Sequence, residues 1–246
     1  MKIAIAQIRP QVGQIESNVE LHLQLSRLAA NAGAQLVVFP ELSITAYVTD
    51  EASELSRSSA KWLQVLEPLQ QLADQSGMTI VVGVPITSDD QLHISSIHLI
   101  PNTTARVQHK HFLHEDEKPF YVSGKVDSVL IARNPNVALA ICYELSVAEH
   151  LQKSLSENTD IYVASVANHA RGVIKANKRL ATVARDHNLY TLMANCIGEH
   201  DGDLLIGRSA VWGREGQVLG ELDDHSQGII LLDSGQDLAT KIIHPE

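Results

Sequence analysis

The sequence predicts an α/β fold in which a mixed sheet is covered by helices, and three observations carry that expectation. Short apolar runs recur along the chain, and most are continuous rather than alternating, as in strands covered on both faces. Segments with helical period separate the early runs, which sets up the strand–helix–strand order of an α/β domain. The later runs crowd toward the C-terminus, with turn residues such as Arg214-Glu215-Gly216 between them, and this adds hairpins.

The elements follow in order. Ile3–Ile8 reads as a buried strand. Asn18 to Ala32 places Val19, Leu21, Leu23, Leu25, Leu28 and Ala29 on one broad stripe, with Asn18 as N-cap and Gly33 as the stop. Leu36–Phe39 is the second strand. Ser58 to Ser76 repeats the helical pattern through Leu63, Val65, Leu66, Leu69 and Leu72, and ends at Gly77. Strands are expected at Thr79–Val84, Ile94–Ile100, Val137–Cys142 and Ile161–Val166, with helices at Ser146 to Leu155 and Ile174 to His187. Tyr190–Ala194, Ser209–Trp212 and Gly228–Leu232 complete the set. A chain of 246 residues without a linker or low-complexity stretch reads as one domain, residues 1–246.

Composition narrows the function. A formal net charge of −10 argues against nucleic acid as partner, because phosphate binding needs clustered Lys and Arg. No run approaches the roughly 20 apolar residues of a membrane span, and the N-terminus turns polar too soon for a secretory signal. The two cysteines, Cys142 and Cys196, form no disulfide framework. A reducing cytoplasm is therefore expected, and it would preserve a catalytic thiol.

Three segments carry candidate chemistry. In Leu36-Val37-Val38-Phe39-Pro40-Glu41-Leu42, an apolar strand meets a proline that suits a strand end, and a carboxylate follows at the mouth of the sheet. In Val137 to Glu144, a second buried strand ends in Cys142 just before a helical segment, whose local positive potential would favour a thiolate. The third is Gln108-His109-Lys110-His111-Phe112-Leu113, where a lysine stands among apolar and imidazole neighbours. His109, His111 and His114 lack the partner set of a tetrahedral zinc site, so no metal is expected. Cys196, at a strand end after Asn195, reads as structural.

A strand-end Glu, a Lys about seventy residues on and a strand-end Cys about thirty beyond it resemble the nitrilase superfamily of carbon–nitrogen hydrolases in order and setting. The resemblance spans nearly the whole chain. Phe39-Pro40-Glu41-Leu42 through Tyr47 is similar to the family's FPEL…GY element, with Ala46 where glycine is common. Lys110 to Leu113 and Tyr121 to Gly124 resemble its K-x-x-L and F-x-x-G elements. Ile141-Cys142-Tyr143-Glu144 with Glu149 resembles I-C-Y-D…P-E, and Gly207-Arg208-Ser209 through Gly216 resembles a late G-x-S…G strand and turn. The sequence departs from the family at Leu92 to Ser96, at Ala184 to Asn188 and around Val166 to Gly172, where a frequent tryptophan is missing. These departures bear on substrate class more than on chemistry.

The resemblance implies a four-layer αββα sandwich with a Glu-Lys-Cys triad at one end. Cys142 would be the nucleophile and Glu41 the general base. Lys110 and the backbone N–H of Tyr143 would hold the oxyanion. A second glutamate is expected after the lysine, with Glu117 as the candidate and Glu115 as its rival. Tyr47, Asn168 and Arg171 are candidate substrate contacts, Arg171 through a bidentate pair with a substrate carboxylate. The implied reaction is hydrolysis of a small linear amide without a cofactor, in a homodimer or higher homo-oligomer. The same triad would also serve an N-carbamoyl or nitrile substrate, and an inactive hydrolase-fold binding or regulatory protein is the competing class.

Overall fold

A computed structural model describes residues 1–48, 52–125, 128–200 and 202–244. Its elements are β1 (Lys2–Gln7), α1 (Ile15–Asn31), β2 (Leu36–Val38), α2 (Ala52–Leu55), α3 (Ser59–Val65), α4 (Glu67–Ser76), β3 (Thr79–Ser88), β4 (Gln91–Leu99), β5 (Arg106–His109), β6 (Leu130–Ala132) and β7 (Val137–Ile141). A short 3₁₀ helix, Cys142–Ser146, leads into α5 (Ala148–Ser156), β8 (Ile161–Val166), α6 (Ala170–His187), β9 (Tyr190–Asn195), β10 (Ile197–His200), β11 (Asp203–Ile206), β12 (Ala210–Trp212), β13 (Val218–Glu221), β14 (Gly228–Asp233) and β15 (Leu238–Ile243).

The strands form a seven-stranded sheet in the order β15-β14-β1-β2-β3-β4-β5, a six-stranded sheet in the order β13-β12-β9-β8-β7-β6, and the separate β10-β11 pair. Alternation along each strand sends side chains to two different cores. Ile3, Ile5, Leu36 and Val38 of the larger sheet meet Val137, Leu139, Ile141, Ile161 and Val163 of the smaller one. The alternate residues Ala4, Ala6 and Val37 pack outward with Val19, Leu23, Leu25, Leu66 and Leu69 of the first helical layer. Ala138, Ala140, Tyr162 and Ala164 do the same against Leu151, Val173, Leu180 and Val183 of α5 and α6. The result is an αββα sandwich, and it explains why the sheet segments are apolar at every position: each strand has a buried face on both sides.

Several boundaries differ from expectation for identifiable reasons. Helix α1 starts at Ile15, and Asn18 lies inside it rather than at its cap. Its buried side chain donates to Gln11 O at 2.7 Å and Ile44 O at 2.9 Å, and accepts from Gln11 N at 2.8 Å, which fixes the approach to the helix. The expected helix from Ser58 to Ser76 is two helices that meet at Leu66. Pro68 accounts for the break, because proline has no N–H to give and fits only the first turn of the second helix. Helix α6 begins four residues before the expected Ile174, capped by the His169 side chain, which accepts from Arg171 N at 3.2 Å. Beyond Cys142 the chain first forms a 3₁₀ turn, so α5 starts only at Ala148. Strands β5, β6, β10, β11, β13 and β15 had no sequence expectation; most are short, and β5, β11, β13 and β15 carry exposed residues.

Two features aim the sheets at one point. Strands β1, β2 and β3 run parallel, as do β7, β8 and β9, so Glu41 and Cys142 both follow the carboxyl end of a parallel strand. Polar contacts then lock the two sheets next to these ends: Ser165 Oγ donates to Phe39 O at 2.8 Å, and Gln108 Nε2 donates to Leu139 O at 3.4 Å.

The turn after β2 lies flat on Gly83 of β3. A Cβ at Gly83 would stand 2.4 Å from Leu42 N and 2.6 Å from Pro40 O, so glycine is required there by contact rather than by backbone angle. Gly83→Ala should therefore displace the Glu41 turn. The expected cost is about 1–3 kcal/mol, read as a lower denaturation midpoint together with a loss of catalytic turnover.

Candidate active site

Lys110 is fully buried, and it follows β5, whose pairing with β4 continues in a hydrogen bond from Lys110 N to Ile94 O at 2.8 Å. Its ammonium has two carboxylate partners, Glu41 Oε1 at 2.7 Å and Glu117 Oε1 at 2.6 Å, both from buried side chains. Glu117 is held by two further donors, His114 N at 2.8 Å and the Tyr47 hydroxyl at 3.3 Å. Glu115, the rival for this position, is exposed and pairs with Lys118 instead.

This arrangement buries two carboxylates against one ammonium, and the surplus negative charge falls on Glu41. Burial raises the Glu41 pKa, Lys110 opposes that, and Glu117 adds to it, leaving Glu41 at about 7. Burial by itself would lower the Lys110 pKa, but Glu41, Cys142 and Glu117 outweigh it and keep the ammonium charged well above its ordinary range. The Glu41 oxygen turned from the lysine, Oε2, has no conventional hydrogen-bond donor among the described residues. The neighbouring Cys142 thiol slightly favours the ionised carboxylate.

Cys142 is partly accessible and opens the 3₁₀ helix with φ of 48°, a left-handed conformation that costs a side-chain-bearing residue about 1–2 kcal/mol. Desolvation and the neighbouring Glu41 carboxylate push its thiol up, so the proton rests on sulfur while Glu41 is about half ionised at neutral pH. Lys110 and the Ala167 backbone pull the other way and favour the thiolate once it forms.

A residue without an expected role holds this turn. Glu144, fully buried, accepts from Ile141 N at 2.8 Å through one oxygen and from His111 N at 2.7 Å and Phe112 N at 3.3 Å through the other. It thereby joins the cysteine turn to the segment that carries Lys110. His150 stands 3.4 Å away, its pKa lowered by burial. The sequence signal was its place two residues after the cysteine. Asn195 is the second such residue: it accepts from Asn168 N at 2.8 Å and donates to Asn168 O at 3.1 Å, anchoring the loop after β8.

These groups open onto a cavity of about 520 Å³, lined in part by Tyr47, Glu117, Cys142, Asn168, Lys175 and Arg179. Asn168 Oδ1 is 4.0 Å from the Cys142 sulfur. The Tyr143 ring is partly exposed on the cavity wall, edge-on to His114. Arg171, expected at the substrate, is exposed and outside the lining, because α6 already begins at Ala170 and turns it outward. His109 and His111 are engaged by Ser95 Oγ at 2.7 Å and Gly124 O at 2.6 Å, and Cys196 is buried.

A family model for carbon–nitrogen hydrolases matches residues 2–241. The chain belongs to the carbon–nitrogen hydrolase family. Among relatives, a nitrilase of Pyrococcus abyssi is 26% identical over 223 residues, which cover 89% of this chain and 84% of that protein. An (R)-stereoselective amidase of a Pseudomonas species is 25% identical and covers 96% of this chain and 86% of its own. A glutamine-dependent NAD(+) synthetase of Thermotoga maritima is 24% identical across the whole chain, which spans only 44% of that protein. In structure, an amidase of Nesterenkonia AN1 from the nitrilase superfamily superposes with a TM-score of 0.84 at 22% identity, covering 96% of this chain and 92% of the other. Other structures of that amidase hold acrylamide or butyramide, and one carries the acetamide moiety of fluoroacetamide on its active-site cysteine.

Within this carbon–nitrogen hydrolase, Glu144 offers a test of how the turn is held. Glu144→Ala leaves one buried and two partly buried N–H groups without an acceptor and should cost about 3 kcal/mol of stability, measured by chemical denaturation. Glu144→Gln should fold, yet lose at least about tenfold in turnover, because an amide accepts through one oxygen only.

Proposed function

We propose that the protein hydrolyses a small linear amide through a thioester on Cys142, with Glu41 as base and Lys110 as oxyanion partner. The observation that carries this reading is the setting of Glu41: held through one oxygen by buried Lys110, it keeps the other unpaired among the described residues and is electrostatically coupled to Cys142, the only thiol lining the cavity among those residues. The amides found in the Nesterenkonia enzyme fit the same chemistry.

The steps balance as follows. The Cys142 sulfur attacks the carbonyl carbon while Glu41 takes the thiol proton. Lys110 Nζ and Tyr143 N–H stabilise the oxyanion, each such donor contributing about 2.7–4 kcal/mol to lowering the barrier. Glu41 passes its proton to the nitrogen, ammonia leaves, and the acyl group stays on sulfur. Water then attacks the thioester, gives a proton to Glu41, and the carboxylic acid departs as Glu41 returns that proton to the sulfur. Glu117 keeps Lys110 charged and oriented, and Tyr47 and Asn168 contact the bound amide.

The reading includes a reducing, cytoplasmic setting, which keeps a thiol nucleophile in its reduced form, and a homodimer of single-domain chains. Ile174, exposed on α6, is the kind of side chain such an interface covers, and light scattering at micromolar concentration checks the assembly.

A panel of short amides, N-carbamoyl amino acids and nitriles, assayed for released ammonia, tests the reaction. Turnover of an amide is expected, with Cys142→Ala and Glu41→Gln each losing at least about a thousandfold while keeping the fold; an active Glu41→Gln enzyme would end the assignment of the base. The free enzyme needs Glu41 ionised, and its pKa is raised to about 7. Therefore kcat/KM should rise with pH through neutrality and fall about tenfold per unit on the acid side. A flat profile between pH 5 and 8 would contradict this.

A further inference from the structure

The cavity wall away from the triad is built from helix α6. Gly172, Lys175, Ala176 and Arg179 all line the cavity, and their spacing of three, four and seven residues is that of a single helical face. Two members are small and two are cations. At Gly172 a Cβ would stand 2.7 Å from Asn168 Oδ1, so the glycine lets the helix approach the loop that touches Cys142.

Neither cation has an ion-pair partner among the described residues, although the chain carries ten more acidic than basic side chains. Arg179 is half-buried and oriented: its Nε donates to Leu145 O at 3.3 Å. That bond uses one of the five N–H groups of the guanidinium and leaves the fork free to engage a planar anion. Leu145 lies three residues beyond Cys142 in the 3₁₀ helix, about 6 Å along its axis. The cavity's acids other than Glu117, Asp116 and Asp203, are both exposed, and Asp116 faces His114 at 3.3 Å. The buried His200 on the same wall has no partner for Nδ1 among the described residues, which suits a polar ligand better than an alkyl chain.

Charge is thus separated along the cavity. The inner end holds two carboxylates against one ammonium and repels an anion, while the outer wall presents unpaired positive charge. We propose that the substrate carries a carboxylate a few bonds from the scissile carbon, and that Arg179, assisted by Lys175, binds it and so selects which end of the molecule reaches Cys142. This rests on the amide-hydrolase reading and adds the substrate's charge to it. Arg179 and Lys175 are specificity residues here and take no part in bond-making.

Matched pairs provide the test. Glutaramate against valeramide places the carboxylate on the acyl half, and N-carbamoyl-β-alanine against propylurea places it on the leaving half. In at least one pair the charged member should be preferred in kcat/KM by between about ten- and a hundredfold, the worth of a charge-assisted pair. Arg179→Gln should remove most of that preference, Lys175→Gln part of it, and Arg179→Lys should restore some, while the neutral member's kcat/KM stays within about threefold. A merely structural arginine would lower both members alike and leave their ratio unchanged, which would overturn the proposal, as would equal or better turnover of both neutral members. If no compound of the panel is turned over, the hydrolase reading fails on its own. Calorimetric titration of Cys142→Ala with the same four compounds then still decides: tighter binding of a charged member, lost in the Arg179→Gln background, supports the carboxylate site, and equal binding removes it.

Discussion

The whole site depends on one buried ammonium shared between two buried carboxylates. Each of these ions pays a desolvation cost of several kcal/mol, and Lys110 offsets it for both Glu41 and Glu117 through contacts of 2.7 and 2.6 Å. The sharing is unequal in effect. Glu117 has three donors, from Lys110, His114 N and the Tyr47 hydroxyl, whereas Glu41 has Lys110 and a thiol. Burial, opposed by Lys110 and reinforced by Glu117, raises the Glu41 pKa to about 7 beside the Cys142 thiol. The network that stabilises Lys110 therefore includes the carboxylate proposed as general base.

Such a network holds only if its parts, drawn from different layers, cannot drift. Glu41 and Lys110 come from the seven-stranded sheet and Cys142 from the six-stranded one. Packing of the inner faces fixes the separation of the sheets, but apolar contact is tolerant of small slides. Directional bonds across the gap remove that tolerance: Ser165 to Phe39 O beside Glu41, Gln108 to Leu139 O beside Lys110, and Glu144 to His111 and Phe112 beside Cys142. The left-handed backbone at Leu42, Ala46 and Cys142 is tolerable for the same reason, since the surrounding contacts leave those turns no alternative. Ala46 shows this most plainly: a position suited to glycine holds a methyl-bearing residue at φ of 65°.

The sequence made the layers legible because continuous apolar runs have one structural meaning when helices lie between them. Glu41 and Cys142 drew notice because strand ends mark sites, Lys110 through its apolar and imidazole neighbours, and Glu117 through its spacing to Tyr121 and Gly124. What it concealed were the backbone partners of buried polar residues such as Glu144 and Asn18. A carboxylate or amide of that kind has no spacing rule, since its partners are set by tertiary approach. The short strands β5, β10, β11 and β13 were hidden for a related reason: four residues with an exposed edge carry too little periodicity to register.

The position of Arg171 is more instructive than a missed strand. Arg171 was chosen because it lies just after β8, where the resembled family's substrate loop would fall. With the start at Ala170, the apolar positions Val173, Ala176, Leu180 and Val183 dictate which face meets the sheet. That rotation leaves Arg171 in solvent and turns Gly172, Lys175 and Arg179 toward the cavity. Under the proposed reading, chemistry in this fold is set by strand ends and cross-sheet bonds, and selectivity by the face that α6 presents to the cavity. The second can vary without cost to the first, and a family can therefore keep one reaction while its substrates diverge.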